Sequence, residues 1–202
     1  MPRLCRVLLA VVAATVITAP SAAADQDKKL SATLGELWTT VLQTPAATNP
    51  FTGGDPCIEL AGRVVAPFAG GAEFSCTVSP GTQLFIVGFS SECSTVEPPP
   101  FHGTDEASLR QCAREADAAI GTPTVTLDGR PVALTETETG LLSFVLPAGN
   151  IFDLPAGTEG QSVAHGWVAL LHPLTPGTHV IRIALGGTLV NTTTIQVQPG
   201  AP

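Results

Sequence analysis

Short strand-like runs interrupted by Gly and Pro are the feature that most constrains the fold of this chain. The 202 residues include 20 glycines and 18 prolines, which separate runs rich in β-branched and other apolar residues. Such runs, bounded by turn residues, are typical of a protein built from packed sheets rather than from a helical bundle. The sequence therefore predicts a mainly β protein, an antiparallel β-sandwich with two short helices.

The clearest local signal is a tight hairpin. Asp128-Gly129 separates two strand-like runs within Thr124–Leu134, and this dipeptide is a signature of a type I′ turn. Further strands are predicted at Arg63–Phe68, Glu73–Val78, Gln83–Phe89, Leu141–Leu146, Val163–Leu171, Thr178–Leu185 and Leu189–Val197.

Two segments carry helical periodicity. Apolar residues recur at helical spacing in Ser31–Leu42, and Ser31 is the predicted N-cap. Thr104 is the predicted N-cap of a second helix that reaches Ile120. The Pro-rich segment Ser90–Gly103 is predicted to be irregular.

The N-terminus predicts export. Arg3 and Arg6 precede a short apolar run, and Ala22-Ala23-Ala24 precedes Asp25, which is the pattern of a cleavable signal peptide. The run is too short for a permanent membrane anchor. We therefore expect a secreted, extracellular protein with no stable membrane anchor. The predicted organisation is a signal peptide over 1–24, a polar leader over 25–29, one β-sandwich domain over 30–198 and a tail over 199–202.

The charge balance argues against nucleic acid as a partner. The formal net charge is −8, and loss of the two signal-peptide arginines makes the mature chain more acidic. The remaining arginines are scattered and form no basic stripe that could neutralise phosphates. We expect an extracellular ligand or protein partner whose identity the sequence does not specify.

Four cysteines remain after signal cleavage, and in a secreted chain an even number predicts disulfides. Their wide, nearly equal spacing does not match the close C-x-x-C pairs of a zinc site. Sequential pairing, Cys57–Cys76 and Cys93–Cys112, is the prediction. Four cysteines allow three pairings, however, and the crossed arrangements stay open from sequence alone.

An ordered set of short motifs resembles a known family. The set includes Leu37-Trp38, Asn49-Pro50, Cys76-x-Val78-x-x-Gly81, Gly166-Trp167 and the ending Leu174-x-Pro-Gly-x-His179-x-Ile181. In this order they resemble a family of secreted bacterial β-sandwich proteins, uncharacterised in function, that end in an L-x-P-G-x-H-x-I hairpin. The ending is also similar to the last hairpin of immunoglobulin-like sandwiches, and a jelly-roll-like arrangement is the alternative. The resemblance implies export and a sandwich body, and it implies no catalytic residues.

Three histidines are weak candidates for a metal site. His165, His172 and His179 lie on or beside neighbouring predicted strands. His165 and His172 are an odd number of residues apart, so on a regular strand they face opposite sides. The alternative for His179 is a hydrogen bond to the backbone of the adjacent turn. No metal ligand set or cofactor is predicted.

Two further features have competing interpretations. Glu136 and Glu138 form a carboxylate stripe that could serve glycosidase chemistry or calcium, but a solvated strand edge is the expected use. Trp38 is expected to anchor the first helix to the body, and an exposed ligand platform is its rival role.

The sequence favours a secreted, non-catalytic binding or interaction module. This preference rests on elimination, since no nucleophile elbow, phosphate loop or metal-ligand spacing is present in the sequence. The alternative is a secreted hydrolase or metal-dependent enzyme that uses the histidines of the 163–179 region.

Overall fold

The computed structural model of the protein describes residues 22–199. Most of the predicted signal peptide and the last residues of the predicted tail lie outside this range. Within it, no helix combines the length and the apolar composition needed to cross a bilayer. The described chain is mainly β, with two long α-helices and two packed sheets, so the predicted β-sandwich is confirmed.

Helix α1 spans Ala22–Leu42 and begins well before the predicted N-cap. It takes in the polar leader, and its buried face carries Leu30, Leu34, Leu37 and Val41. Ser31 lies inside the helix, where its hydroxyl donates to the carbonyl oxygen of Glu138 at 2.7 Å. The predicted capping role of Ser31 is therefore wrong, because the polar leader has enough helical residues to continue the helix backwards.

Two 3₁₀ turns, Ala46–Thr48 and Pro50–Thr52, follow α1 and enclose Asn49. The buried Asn49 amide donates to the carbonyl of Val41 at 2.8 Å and its oxygen accepts from the backbone N–H of Phe51 at 3.0 Å. The Asn49 side chain thus supplies a donor to a backbone carbonyl at the C-terminal end of α1, and it holds the backbone of Phe51, which carries the next aromatic ring.

Eleven strands and helix α2 are the remaining regular elements of the described chain. Their bounds are β1 Cys57–Leu60, β2 Val64–Pro67, β3 Glu73–Val78, β4 Gln83–Ser94, α2 Glu106–Ile120, β5 Pro123–Leu127, β6 Arg130–Val132, β7 Thr135–Glu138, β8 Leu142–Val145, β9 Glu159–Leu171, β10 Gly177–Leu185 and β11 Thr188–Val197.

The two sheets are mixed rather than purely antiparallel. Sheet 1 has the order β1-β2-β4-β9-β7, with β8 also paired to β9, and sheet 2 has the order β3-β11-β10-β5-β6. Strands β2 and β4 are parallel, and so are β3 and β11. The antiparallel prediction fails at these two pairs. Strands β2 and β4 are parallel because the chain crosses to sheet 2 at β3 between them and returns to sheet 1 in its earlier direction.

The long strands β4 and β9 organise the core. On one face, Phe85 and Val168 pack with the leucines of α1. On the other face, Leu84 and Ile86 pack against sheet 2. Further along this second face, Val163 packs against α2. Helix α2 and sheet 2 therefore lie side by side on one face of sheet 1, and α1 covers the opposite face.

Two disulfides, Cys57–Cys76 and Cys93–Cys112, have the pairing that the sequence predicts. The first joins β1 in sheet 1 to β3 in sheet 2, and the second joins β4 to α2. Each bond therefore links two layers, and both are typical of proteins that mature in an oxidising compartment.

Two local predictions need correction. Strand β4 runs on to Ser94, through residues predicted to be irregular, because β9 pairs with it antiparallel from Leu84 to Ser94, with one register shift between Val87 and Phe89. Helix α2 is capped by Asp105 rather than Thr104: its carboxylate accepts from the N–H of Ser108 at 2.8 Å, and the Ser108 hydroxyl accepts from the N–H of Asp105 at 3.1 Å.

The predicted hairpin is confirmed. Asp128 and Gly129 have φ values of 51° and 77°, and Leu127 pairs directly with Arg130. Positive φ at both central residues defines the type I′ turn. The Asp128 carboxylate also accepts from the backbone N–H of Val180 at 2.8 Å, which ties the turn to β10.

Candidate binding cleft and histidine cluster

An apolar cleft of about 310 Å³ opens beside β4, where sheet 1 and sheet 2 separate. It exists because β2 leaves β4 early: only Val64 and Val65 pair with β4, and Pro67 has no N–H to extend the ladder. The chain then turns away through Ala69–Gly71. The walls are formed mainly by aromatic and aliphatic side chains, namely Trp38, Phe51, Phe68, Phe74, Phe89, Ile183, Leu185 and Val190.

Three aromatic rings at the cleft hold one another in place. Trp38 stacks on Phe51 with ring centroids 6.0 Å apart. Phe68 meets Trp38 edge-on at 5.4 Å and meets Phe51 edge-on at 5.2 Å. Such contacts stabilise aromatic pairs beyond their buried area. Because each ring touches the other two, the aromatic wall is formed before any ligand arrives.

The polar atoms near these rings are satisfied inside the protein. The indole N–H of Trp38 donates to the hydroxyl of Ser90 at 2.9 Å, and that hydroxyl donates to the carbonyl of His165 at 2.7 Å. Trp38 therefore anchors α1 to the core, as predicted, and it also lines the cleft. Phe51 keeps 39% of its surface exposed at the rim.

His165 lies on β9, 8% exposed, between two carboxylates. Its Nδ1 is 2.7 Å from Oδ2 of Asp117 in α2, and its Nε2 is 3.2 Å from Oε1 of Glu136 in β7. The hydrogen bond to Asp117 raises the pKa of His165, and the charges of Asp117, Glu136 and Glu138 raise it further against the opposing effect of burial. Arg114 and Trp167 also line the cavity of about 440 Å³ at this cluster.

This geometry pairs His165 with acidic side chains from two other elements. Nδ1 is hydrogen-bonded to Asp117 in α2, and Nε2 lies within ion-pair distance of Glu136 in β7. When the ring is protonated, neither nitrogen has a free lone pair for a metal ion or a substrate proton. The arrangement is therefore suited to holding α2 and β7 against β9.

The other two candidate histidines are placed elsewhere. His172 is exposed beyond the end of β9. His179 lies on β10, where Nδ1 is 2.7 Å from Oδ2 of Asp128 and Nε2 is 2.9 Å from the carbonyl oxygen of Thr175. The hydrogen bond to Asp128 raises the pKa of His179. Within residues 22–199, no group of three or more His, Cys, Asp or Glu side chains has a geometry that could hold a metal ion.

Glu138 is not the solvated edge charge that the sequence predicts. Its side chain is only 16% exposed, and Arg114 binds it through Nε and Nη2 at 2.6 and 3.0 Å. Arg110 is a further partner. Burial alone would raise the pKa of Glu138, but the two arginines outweigh it and lower that pKa. Glu136, at 54% exposure, fits the prediction better. The sequence feature that could have indicated these ion pairs is the spacing of Arg110 and Arg114, which lie one helical turn apart in α2.

Glu92, which is buried, and Glu97, which is half-buried, form an acidic pair that sequence reasoning missed. Glu92 on β4 is 5% exposed, and Glu97 is held by the hydroxyl of Ser94 at 2.9 Å. Burial raises the pKa of both carboxyls, and Glu97 raises the pKa of Glu92 further. Both groups therefore keep a proton more readily than an exposed glutamate.

The fold and the two disulfides place the chain in the class of disulfide-bonded β-sandwich proteins. No family model, curated protein or solved structure matches it significantly. The resemblance based on ordered motifs therefore stays a prediction.

Proposed function

We propose that this protein is a secreted, non-catalytic binding module that receives an apolar group of its ligand in the cleft walled by Trp38, Phe51 and Phe68. The observation that carries the proposal is the preformed aromatic wall beside β4. Aromatic surface that keeps its shape without ligand costs little ordering on binding. A lining that is mostly apolar with few polar groups is the usual character of a ligand pocket.

The size of the cleft suits a small apolar group. Its volume of about 310 Å³ is at the lower end of the range for small-molecule sites. An aromatic ring or a branched aliphatic side chain would fill much of it, whereas a whole drug-sized ligand would extend along the surface outside.

The histidine cluster favours a binding module over the alternative of a hydrolase or metal-dependent enzyme. His165 would have to release at least one carboxylate before it could act as a base or bind a metal ion. Secretion is supported by the predicted signal peptide together with the two disulfides.

Titration with N-phenyl-1-naphthylamine, a neutral apolar dye whose fluorescence rises in apolar surroundings, tests the proposal. We expect saturable binding to the native protein and at least a tenfold loss of affinity in Phe51→Ala. Phe101→Ala is the matched control, because Phe101 is a phenylalanine of similar exposure, 42%, that does not line the cleft. Equal affinities of the two variants, or no saturable binding, would overturn the proposal.

A further inference from the structure

The buried carboxyl of Glu92 has an acidic neighbour and no basic partner. Glu92 lies on β4 with 5% of its surface exposed, and the Glu97 carboxyl lies beside it. In the described part of the chain, no Lys, Arg or His side chain lies within ion-pair distance of either group. Burial of two carboxylates is costly unless a positive charge compensates for it. The pair therefore needs either a shared proton or a bound cation.

Two serine hydroxyls lie at the same place. Ser94 on β4 pairs directly with Ser162 on β9, and both residues are fully buried. Because side chains alternate along a strand, Glu92 and Ser94 project from the same face of sheet 1. The Ser94 hydroxyl donates to Oε2 of Glu97 at 2.9 Å. The Ser162 hydroxyl lies beside the Glu92 carboxyl. Four oxygen-bearing side chains therefore converge from two strands and one loop.

Two oxygen atoms of this cluster lack a partner. Oε1 of Glu92 and the hydroxyl of Ser162 are buried and have no hydrogen-bond partner among the described residues. In native proteins an unpaired buried polar atom calls for an explanation, such as a bound water or ion. A proton shared by the two carboxyls would leave the Ser162 oxygen unpaired. A cation, in contrast, accepts lone pairs from carboxylate and hydroxyl oxygens alike.

The donor atoms select the class of cation. All of the side-chain donors are oxygens, which suit a hard cation rather than zinc or copper. Two carboxylates carry two negative charges, so a divalent ion leaves the buried cluster neutral. Together with the two hydroxyls they offer up to six oxygens, about the minimum that Ca²⁺ requires. Mg²⁺ suits a buried cluster less well, because it retains several of its waters.

We propose that two carboxylates and two hydroxyls form a buried site for one calcium ion, supplied by Glu92, Glu97, Ser94 and Ser162. The ion holds the loop after β4 against the β4–β9 strand pair. Glu97 is only half-buried, so the ion enters from the side of this loop. Val96, the preceding residue, packs with Leu42 at the end of α1, so a filled site also fixes the loop against α1. None of the four ligands lines the aromatic cleft, and the site is therefore independent of the proposed function.

Calorimetry with calcium chloride tests the site in the full-length mature protein after treatment with a chelator. We expect one ion bound per chain with a dissociation constant below about 1 mM, and at least tenfold weaker binding of magnesium. Glu97→Gln should lower the calcium affinity at least tenfold. Glu59→Gln is the matched control and should leave the affinity unchanged, because Glu59 is an exposed glutamate on β1 that lies outside the cluster.

Ser162→Ala distinguishes a calcium ligand from a residue that only supports the fold. The Ser162 hydroxyl has no partner in the protein itself, so its removal should leave the urea midpoint measured without calcium unchanged or slightly higher. In the wild type, calcium should raise the urea midpoint, because an ion that binds only the folded state stabilises that state. At the same calcium concentration, the rise should be smaller in Ser162→Ala.

Four results would overturn the inference. Absence of saturable binding at millimolar calcium would mean that a shared proton or a bound water accounts for the cluster. Equal losses of affinity in Glu97→Gln and Glu59→Gln would mean that the ion follows the surface charge of the protein. Equal affinities for calcium and magnesium would contradict a closed calcium site. An equal rise of the urea midpoint in the wild type and in Ser162→Ala would show that the Ser162 hydroxyl is not a ligand.

Discussion

The aromatic cleft and the histidine cluster differ in what they leave unsatisfied. In the cleft, polar atoms find partners inside the protein and apolar ring surface remains open. In the cluster, His165 contacts the carboxylates of Asp117 and Glu136, although the buried Oδ1 of Asp117 has no hydrogen-bond partner among the described residues. The comparison teaches that a cavity with titratable residues is not by itself a reactive site. The surface open to a ligand is the apolar ring surface of the cleft.

The two regions are nevertheless joined. The Ser90 hydroxyl accepts from Trp38 and donates to the His165 carbonyl, so β4 connects the wall of the cleft to the strand that holds the cluster. Each disulfide belongs to a different part of the molecule: Cys57–Cys76 joins the two sheets, and Cys93–Cys112 joins β4 to α2. Selective perturbation of each region can therefore show whether they behave as separate units.

The largest expected effect comes from the disulfides. A bond that closes a loop of this length contributes on the order of 3 kcal/mol in the chain-entropy model. Replacing Cys93 and Cys112 together by Ala should lower the free energy of unfolding by that amount, as measured by urea denaturation, and should leave dye affinity in the cleft nearly unchanged. The Cys57/Cys76 double variant is the control, because it removes the disulfide that joins the two sheets of the sandwich.

Non-reducing peptide mapping provides the direct check on pairing. It should return linked peptides containing Cys57 with Cys76 and Cys93 with Cys112. Free thiols, or a linked peptide with any other pair of cysteines, would contradict this pairing. Loss of dye binding after removal of the Cys93–Cys112 bond alone would mean that the cleft depends on α2 and that the two regions are one unit.

The Asp128-Gly129 turn is the next most sensitive point. Gly129→Val should destabilise the protein by about 2 kcal/mol, because a β-branched residue resists positive φ. Gly140→Val is a matched control: a Cβ at either glycine meets no atom within 4 Å, but only Gly129 has a positive φ, of 77°. Similar urea midpoints for the two variants would show that the backbone conformation of the turn is not what Gly129 supplies.

Glu138→Gln should have a smaller but measurable effect. The substitution removes the charge that binds Arg110 and Arg114 in a site that is only partly exposed, so we expect a loss of about 1 kcal/mol. Glu136→Gln, on the same strand but more exposed, is the control and should change stability less. Indistinguishable urea midpoints would restore the interpretation of Glu138 as a solvated charge.

Local signals explain which features could be predicted from sequence. Strand β3 and the β5–β6 turn lie where they were expected, because alternation and the Asp-Gly dipeptide act over a few residues. The continuation of β4 to Ser94 and the ion pairs of Glu138 depend on β9 and α2, which are distant in sequence. The cleft unites α1 with residues of loops, and no local pattern predicts that Phe51 and Phe68 meet Trp38.

The smallest expected effect is a change in the pH dependence of stability. The folded protein raises the pKa of His165, so it binds that proton more tightly than the unfolded chain does. The resulting stabilisation is fully present below the unfolded pKa of about 6.5 and is lost as the pH rises through the folded pKa. Asp117→Asn removes the main cause, so the stability difference between wild type and variant should be larger at pH 5.5 than at pH 9.

Comparing the wild type with the Asp117→Asn variant also cancels two other pH-dependent contributions to stability. The raised pKa values of Glu92 and Glu97 likewise favour folding at low pH and lose that effect as the pH rises, but they are common to both proteins. His179 retains its Asp128 partner in both. Urea denaturation at several pH values between 5.5 and 9 measures the difference. A difference that stays constant over this range would show that Asp117 does not hold the proton on His165, and it would reopen that ring as a candidate base.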